Sequence, residues 1–252
     1  MGYIRAMAEP QFTRRESFPK TRWTLVQRAG EADPEQKRQA LEEFCRTYWL
    51  PLYSYARRRG KAVHDAQDLI KGFFAKLLND PDFFEKPDAE RGKLRSWLLT
   101  ALQFYDQDEW DKTQAQKRGG GTEILAIDTE IAEERLGEVH ELNAEEAARD
   151  FDRRWAETVL TSARRNLKIS RQAVGKADEY DALKPFLTEG TSAELTQKVA
   201  TRLGKSTDAG SMAISRLRES YRQEIRKVIS ETVGIDADVE QEIGYLISCL
   251  SR

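Results

Sequence analysis

The sequence predicts an all-α protein made of two small helical domains joined by an acidic, flexible linker. Apolar residues recur at spacings of three and four in several separate segments, and no segment alternates as a half-buried strand does. The charge is uneven, because residues 121–152 contain 11 Asp or Glu and only 2 Lys or Arg. The length of 252 residues is sufficient for two domains that each bury a core.

Three amphipathic helices are predicted within residues 1–117, which we assign to the first domain. Helical spacing of apolar residues covers 41–56, 69–78 and 94–105. Pro51 lies inside the first of these patterns and is expected to kink or split that helix.

A mobile linker containing at most one short turn of structure is predicted over residues 118–150. The segment opens with glycines and then collects acidic residues, a composition typical of a flexible connection. A new helical pattern begins with Trp155 and Val159, so the second domain is assigned to residues 151–252. Pro185 and Gly190 interrupt this domain before a pair of helices at 193–222.

The segment AELTQKVATRLGKSTDAGSMAISRLRESYR, residues 193–222, fits a helix-turn-helix. Ala200 is the small residue expected where the helices cross, Gly204 is the turn glycine, and Ser206 is the N-cap of the second helix. Ile214 and Tyr221 are expected to face the core. The polar side chains that this leaves available to DNA are Ser206, Thr207, Ser211, Ser215, Arg216, Arg218 and Arg222.

Two features of this hairpin argue for weak DNA binding. Gly210 lies inside the second helix, where glycine costs about 1 kcal/mol relative to alanine. Asp208 and Glu219 place negative charge near the expected phosphates. An ordinary helical hairpin with a solvated basic face is an equal alternative for this segment taken by itself.

No residue pattern indicates catalysis, a metal or a cofactor. His64 and His140 lie far apart in the sequence, and RGGG at 118–121 lacks the lysine and hydroxyl of a phosphate-binding loop. Cys45 and Cys249 do not suggest a disulfide framework. No apolar stretch approaches the roughly 20 residues of a membrane span, and the N-terminal residues lack a secretory signal pattern. We therefore expect a cytoplasmic protein that is not an enzyme and has no cofactor.

Several blocks of the sequence, in order, resemble the sigma-70 family of RNA polymerase sigma factors. The resemblance is to the extracytoplasmic-function (ECF) type, and within it to a planctomycete-like subgroup. No single block is diagnostic, and their order and spacing over nearly the whole chain carry the resemblance. Besides 193–222, the blocks are TRWTLVQRAG (21–30), ALEEFCRTYWLPLYSYARRRG (40–60), DAQDLIKGFFAKLL (65–78), RGKLRSWLLTAL (91–102), AQKRGGG (115–121), FDRRWAETVL (151–160) and ALKPFLTEG (182–190).

The resemblance implies a division of labour between the two predicted domains. Residues 1–117 would be a sigma2-like domain that binds the clamp of core RNA polymerase and captures the melted downstream promoter element. Residues 118–150 would pass through the polymerase toward the RNA exit path. Residues 151–252 would be a sigma4-like helix-turn-helix domain that reads the upstream element as duplex. The implied partners are core RNA polymerase, promoter DNA and an anti-sigma inhibitor protein.

Two sets of residues in the first domain match functional positions of the family. The polymerase-binding candidates are Asp65, Gln67, Asp68, Lys71 and Phe74. The candidates for holding a flipped base of the downstream element are Phe83, Phe84, Lys86, Arg91, Lys93 and Arg95, which supply aromatic surfaces and cations. For the first set the alternative is a capped helix start with aromatics in the core, and at least one phenylalanine of the second set is as readily core packing.

At several positions the sequence differs from the family pattern, and these differences motivate alternatives to the sigma-factor function. Asp106, Asp108 and Glu109 stand where fewer acids are expected, and Gly210 and Ser211 stand where relatives tend to have an aliphatic and a basic residue. These departures motivate an alternative, a sigma-like protein-interaction module held by an inhibitor, with vestigial DNA contact. A stand-alone helix-turn-helix repressor, which would bind DNA as a dimer without polymerase, is the third hypothesis.

A basic run at 57–61 has two interpretations. Arg57, Arg58, Arg59 and Lys61 are suited to contact phosphates or the polymerase. The equal alternative is a solvated helix end whose positive charge complements the helix dipole.

Overall fold

The computed structural model of the chain describes residues 34–79, 94–115, 129–188, 192–230 and 236–251. The regular elements of these ranges are all helices, so the all-α prediction is confirmed for them. None of these helices is long and apolar enough to span a membrane. The α-helices are α1 (Pro34–Arg58), α2 (Val63–Asn79), α3 (Leu94–Ala115), α4 (Thr129–Leu136), α5 (Ala144–Ala173), α6 (Ala177–Leu183), α7 (Ala193–Arg202), α8 (Thr207–Ser230) and α9 (Asp236–Leu250).

Helices α1, α2 and α3 pack together through the apolar positions that the sequence pattern identifies. Tyr48, Leu52, Ile70, Phe73 and Leu98 are all nearly inaccessible to solvent. Helix α1 continues through Pro51 as one element, so of the two expected outcomes, a kink or a split, the split does not occur. The surrounding α1 backbone is held by tertiary packing against α2 and α5, which offsets the hydrogen bond that proline cannot donate.

Residues 118–150 are expected to form a flexible connection. The described part, 129–150, is instead largely helical. Helix α4 forms there and buries Ala132 and Leu136. Helix α5 begins at Ala144, with Asn143 as its N-cap. The Glu146 amide donates to the Asn143 side chain at 2.9 Å, and the Glu146 carboxylate accepts from the Asn143 amide at 3.2 Å. Local capping and a few buried apolar contacts therefore order an acidic segment.

Helix α5 is the central element of the described structure. It has 30 residues and packs against α1, α8 and α9. Its buried face is apolar except for Ser162, and includes Phe151, Trp155 and Val159. Because α5 spans the predicted boundary at 150/151, this boundary does not coincide with a break between helices.

The C-terminal helices α6, α8 and α9 all pack against α5. A 3-10 helix at Lys184–Leu187 follows α6 and packs against α8, with Phe186 buried. Helix α9 packs against both α5 and α8. The buried apolar side chains of α1, α2 and α3 belong to one connected cluster with those of α5, α8 and α9. The described helices therefore share a continuous core, while the division into two domains stays a prediction.

Candidate nucleic-acid interface

The predicted hairpin is formed by α7, a tight turn and α8. Ser192 caps α7 by accepting a hydrogen bond from the Leu195 amide at 3.1 Å. Gly204 has φ of +63°, the left-handed backbone expected of the turn glycine. Ser206 precedes α8 and accepts from the Ala209 amide at 3.3 Å. The local geometry predicted for these positions is therefore present.

Gly210 lies where the two hairpin helices cross. It is buried, and a Cβ atom built on it would lie 2.9 Å from Cβ of Ala200. Real Cβ contacts are essentially never that short, so alanine fits here only if a helix shifts. The interpretation of Gly210 as a defect of the recognition helix is corrected, because its missing side chain permits the close crossing.

Helix α8 divides into an inward and an outward face. Ile214, Leu217 and Tyr221 are buried, as predicted, and the Tyr221 hydroxyl donates to the Leu160 carbonyl of α5 at 3.1 Å. Among the predicted DNA-contacting residues, those with exposed side chains are Ser206, Thr207, Ser211, Ser215, Arg216 and Arg222. The outward face thus presents hydroxyl groups near the N-terminus of α8 and arginines farther along.

Arg218 differs from the other predicted DNA contacts. Its side chain is only half-exposed, and its Nε donates to the Phe186 carbonyl at 2.8 Å. Arg222 is exposed but pairs with Glu219 at 3.1 Å. Hydrogen bonds from Gln223 and Arg222 lower the pKa of Glu219. Arg216 is therefore the predicted arginine whose side chain is most open to a nucleic acid.

The polymerase-binding candidates lie on α2. Asp65 and Asp68 are exposed, while Gln67 and Lys71 are half-buried. Phe74 is fully buried and its ring lies 6.1 Å from that of Phe44 in an edge-on arrangement. The prediction that Phe74 contacts the polymerase is therefore wrong for this structure, because Phe74 is a core residue. The four polar residues remain candidates for polymerase binding.

The downstream-element candidates Phe83, Phe84, Lys86, Arg91 and Lys93 lie outside the described residues. Arg95 is described and is only 4% exposed. The prediction that Arg95 contacts DNA is corrected for this conformation, in which its guanidinium lies inside the protein.

A polar cluster encloses Arg95. Its Nε lies 3.0 Å from the buried Glu242 carboxylate of α9 and 3.6 Å from Asp152 of α5. Its guanidinium carbon lies 4.0 Å from the ring centroid of Tyr245 and 5.1 Å from that of Trp155. The Tyr245 hydroxyl donates to Asp152 at 2.7 Å, and burial together with this bond raises the tyrosine pKa. Arg95 thus joins α3 to α5 and α9.

Two acidic residues of α3, Asp106 and Asp108, lie near lysines on α2 and just before it. Asp106 lies 2.7 Å from Lys61, and Asp108 lies 3.9 Å from Lys76. Tyr105 packs on Phe73 with ring centroids 5.8 Å apart, which favours its interpretation as a packing residue. The side chain of Trp110 lies outside the described set. These acids therefore have a structural role.

Phe104 is an exposed aromatic residue of α3 to which the sequence analysis assigned no role. Its side chain is 67% exposed. A sequence signal was available, since Phe104 lies off the apolar stripe that Leu98, Leu102 and Tyr105 define.

The basic end of α1, formed by Arg57, Arg58, Arg59 and Lys61, is covered by the acidic segment. Arg57 donates from Nε and Nη2 to the two carboxylate oxygens of Glu133 at 2.8 and 2.9 Å. Tyr53 also donates to Glu133, at 2.7 Å. Hydrogen bonding from Arg57 lowers the pKa of Glu133. The prediction that this end of α1 is solvated does not hold for Arg57.

Backbone groups extend the same contact. Arg58 donates to the Glu138 carbonyl at 3.1 Å, and Arg59 donates to the Leu142 carbonyl at 2.9 Å. The Leu142 amide donates to the Arg58 carbonyl at 2.7 Å. The acidic segment therefore occupies the surface at which a phosphate group would meet these arginines.

Comparisons with protein-family models, with curated protein sequences and with solved structures found no match for this chain.

Proposed function

We propose that the protein is a sigma factor of the ECF type, which binds core RNA polymerase and directs transcription initiation at specific promoters. The observation that carries the proposal is the α7–α8 hairpin, with a left-handed glycine in its turn and a glycine at the helix crossing. Its outward face carries hydroxyl and arginine side chains. Side chains of these types contact phosphates and base edges in the major groove.

The small number of exposed cations limits the affinity of the hairpin for DNA in the absence of polymerase. Arg216 and Arg222 are the exposed arginines among the predicted contacts, and Asp208 is exposed beside them. Each phosphate neutralised contributes to an affinity that falls steeply with salt. So few phosphate contacts give weak DNA binding by the hairpin alone. Promoter selection therefore depends on additional DNA contacts made by the polymerase.

The α2 surface is the proposed site for the polymerase. Asp65 and Asp68 present carboxylates to solvent one turn apart, with Gln67 and Lys71 partly accessible beside them. A charged, exposed surface of this kind suits docking to a complementary charged partner. Since polymerase and promoters are the proposed partners, we place the protein in the cytoplasm.

The closed arrangement of α3, α5 and α9 suggests that an inhibitor can hold the protein inactive. Arg95 is buried between Asp152 and Glu242, so it reaches promoter DNA only after α9 and α5 separate from α3. An anti-sigma partner that binds the closed form would maintain this state by differential affinity.

A second candidate function is a protein-interaction module whose DNA contact is vestigial. It is favoured by the internal pairing of Arg57 and Arg95, which removes two cations from the surface that nucleic acid would meet. This function requires binding of an inhibitor and no promoter-specific transcription.

The deciding experiment is co-purification with core RNA polymerase, followed by transcription from a genomic promoter library. We expect association with core and a defined set of promoter-specific transcripts. Arg216→Ala should reduce those transcripts, whereas Lys168→Ala, which removes an exposed cation from α5, should not. Failure to associate with core would rule out the sigma-factor proposal. Association without promoter-specific transcripts would favour the interaction module, and dimeric duplex binding without polymerase would favour a repressor.

A further inference from the structure

A cavity of about 470 Å³ lies between the end of α5, helix α6, the turn after α7 and the first half of α8. Its volume is in the range of small-molecule sites in proteins. It borders the proposed DNA-reading helix but extends beyond the hairpin. Arg171 lies near the end of α5, and Lys176 is the residue just before α6. Apart from Arg216, its lining residues have no part in the proposed promoter reading.

The charged residues that line the cavity are predominantly cationic. Arg171, Lys176, Lys205 and Arg216 contribute four positive charges, and Glu179 contributes the one carboxylate. Lys205 pairs with Glu179, and Arg171 donates to the Ser220 hydroxyl at 2.6 Å. Hydrogen bonding from Lys205, with further attraction from Lys176 and Arg171, lowers the pKa of Glu179. The cavity therefore has a positive potential.

Two of these cations, Lys176 and Arg216, are held less firmly than Lys205 and Arg171. Within the part of the chain that the structure describes, the side chains of Lys176 and Arg216 make no hydrogen bond or ion pair. Both are exposed and line the cavity. Two cations that line the same cavity without a hydrogen bond or ion pair favour a ligand with more than one negative charge.

Apolar groups form the rest of the lining. Leu183 and Leu217 line the cavity and are buried, and Met212, which also lines it, is 55% exposed. Ala209 and Ala213 are small, which leaves room above α8. The lining therefore combines cationic and apolar side chains.

We propose that this cavity binds a phosphate group. The phosphate belongs either to the DNA backbone beside the site read by α8 or to a free phosphorylated small molecule. Lys176 and Arg216 supply the charge-assisted hydrogen bonds, and the Glu179–Lys205 pair fixes the turn that forms one wall. The site does not depend on polymerase binding, so it stands even if the sigma-factor proposal fails.

The test is a titration of the full chain with inorganic pyrophosphate, followed through backbone amide chemical shifts. Shifts are expected at amides of 176–180 and 205–213. Lys176→Ala should weaken pyrophosphate binding roughly tenfold, the loss typical of one charge-assisted hydrogen bond. Lys168→Ala removes the same charge from an exposed position outside the cavity and should leave binding unchanged. Lys176 makes no side-chain capping bond, so its replacement should not unfold α6.

Binding of a random-sequence DNA duplex distinguishes the two sources of phosphate. If the phosphate is that of DNA, pyrophosphate competes with the duplex, and Lys176→Ala lowers the salt slope of duplex binding by about 0.9. If it is that of a free ligand, Lys176→Ala weakens pyrophosphate binding and leaves duplex affinity unchanged. Both results support the site. Absence of shifts at the cavity, or an equal effect of Lys168→Ala, would overturn it.

Discussion

At the scale of single residues, Gly210 and Arg95 show how distant neighbours decide the role of a side chain. Sequence reasoning identified the small residue Ala200, the turn glycine and the cap of α8, because those roles depend on local backbone geometry. The role of Gly210 depends on how closely α8 approaches Ala200. Local propensity therefore did not reveal it.

Gly210→Ala should destabilise the protein although alanine is the better helix former. The new Cβ would meet Ala200 at 2.9 Å, and overpacking costs about 1–3 kcal/mol against a gain of about 1 kcal/mol in propensity. The matched control is Gly244→Ala in α9, where a Cβ meets nothing within 4 Å and a gain of up to about 1 kcal/mol is expected. Urea unfolding measures both, and an equal gain for the two variants would contradict the crossing geometry.

Arg95→Leu should destabilise the protein by about 3 kcal/mol, because it leaves the Glu242 carboxylate buried without its cation. The double variant Arg95→Leu with Glu242→Leu should recover much of the loss, since it removes both members of the pair. Equilibrium unfolding of the single and double variants gives the coupling between the two sites. If Arg95→Leu had wild-type stability, Arg95 would be solvent-exposed in solution and available to DNA.

At the scale of elements, the helices with long apolar stripes were predictable and α4 was not. The patterns at 41–56, 69–78 and 94–105 each bury several large side chains in α1, α2 and α3. Helix α4 has 8 residues and buries Ala132 and Leu136 within an acidic segment, which is too little apolar content to stand out. Its order also depends on the pairing of Glu133 with Arg57, which is 76 residues away in the sequence.

The contact between α4 and α1 predicts a pH-dependent stability. The folded-state pKa of Glu133 is lowered, so its contribution is fully present above the unfolded pKa of about 4.5 and is lost as pH falls through the folded value. Glu133→Gln should therefore lower the unfolding free energy by about 1 kcal/mol at neutral pH, an amount reduced by partial solvent screening. The difference from wild type should vanish in acid.

The control for this prediction is Glu134→Gln. Glu134 is an exposed neighbour on α4 with no ion-pair partner among the described residues. It should change stability little at any pH. Urea titrations at several pH values compare the two variants. A pH-independent difference for Glu133→Gln would mean that the ion pair with Arg57 contributes nothing.

At the scale of the whole molecule, the continuous core bears on the predicted division into two domains. Helix α5 packs on α1 and on α8, and the buried apolar side chains form one cluster. Composition and periodicity predicted the helices on both sides of the acidic segment. They do not specify which helices meet, because that depends on contacts between residues far apart in the chain.

The continuous core predicts one cooperative unfolding transition for the free protein. Tryptophan fluorescence and far-ultraviolet circular dichroism should give coincident urea midpoints. Independent domains with a flexible connection would instead unfold in separate steps. Two transitions would therefore support the two-domain organisation expected from the sequence.

The most direct test of the central claim is the affinity of the purified protein for core RNA polymerase. We expect saturable binding that Asp68→Lys weakens at least tenfold, as charge reversal in a polymerase-facing surface of α2 would do. Glu134→Lys, the same reversal at an exposed position of α4, should bind as the wild type does. Absence of binding, or equal binding by Asp68→Lys and wild type, would contradict the proposed role of α2.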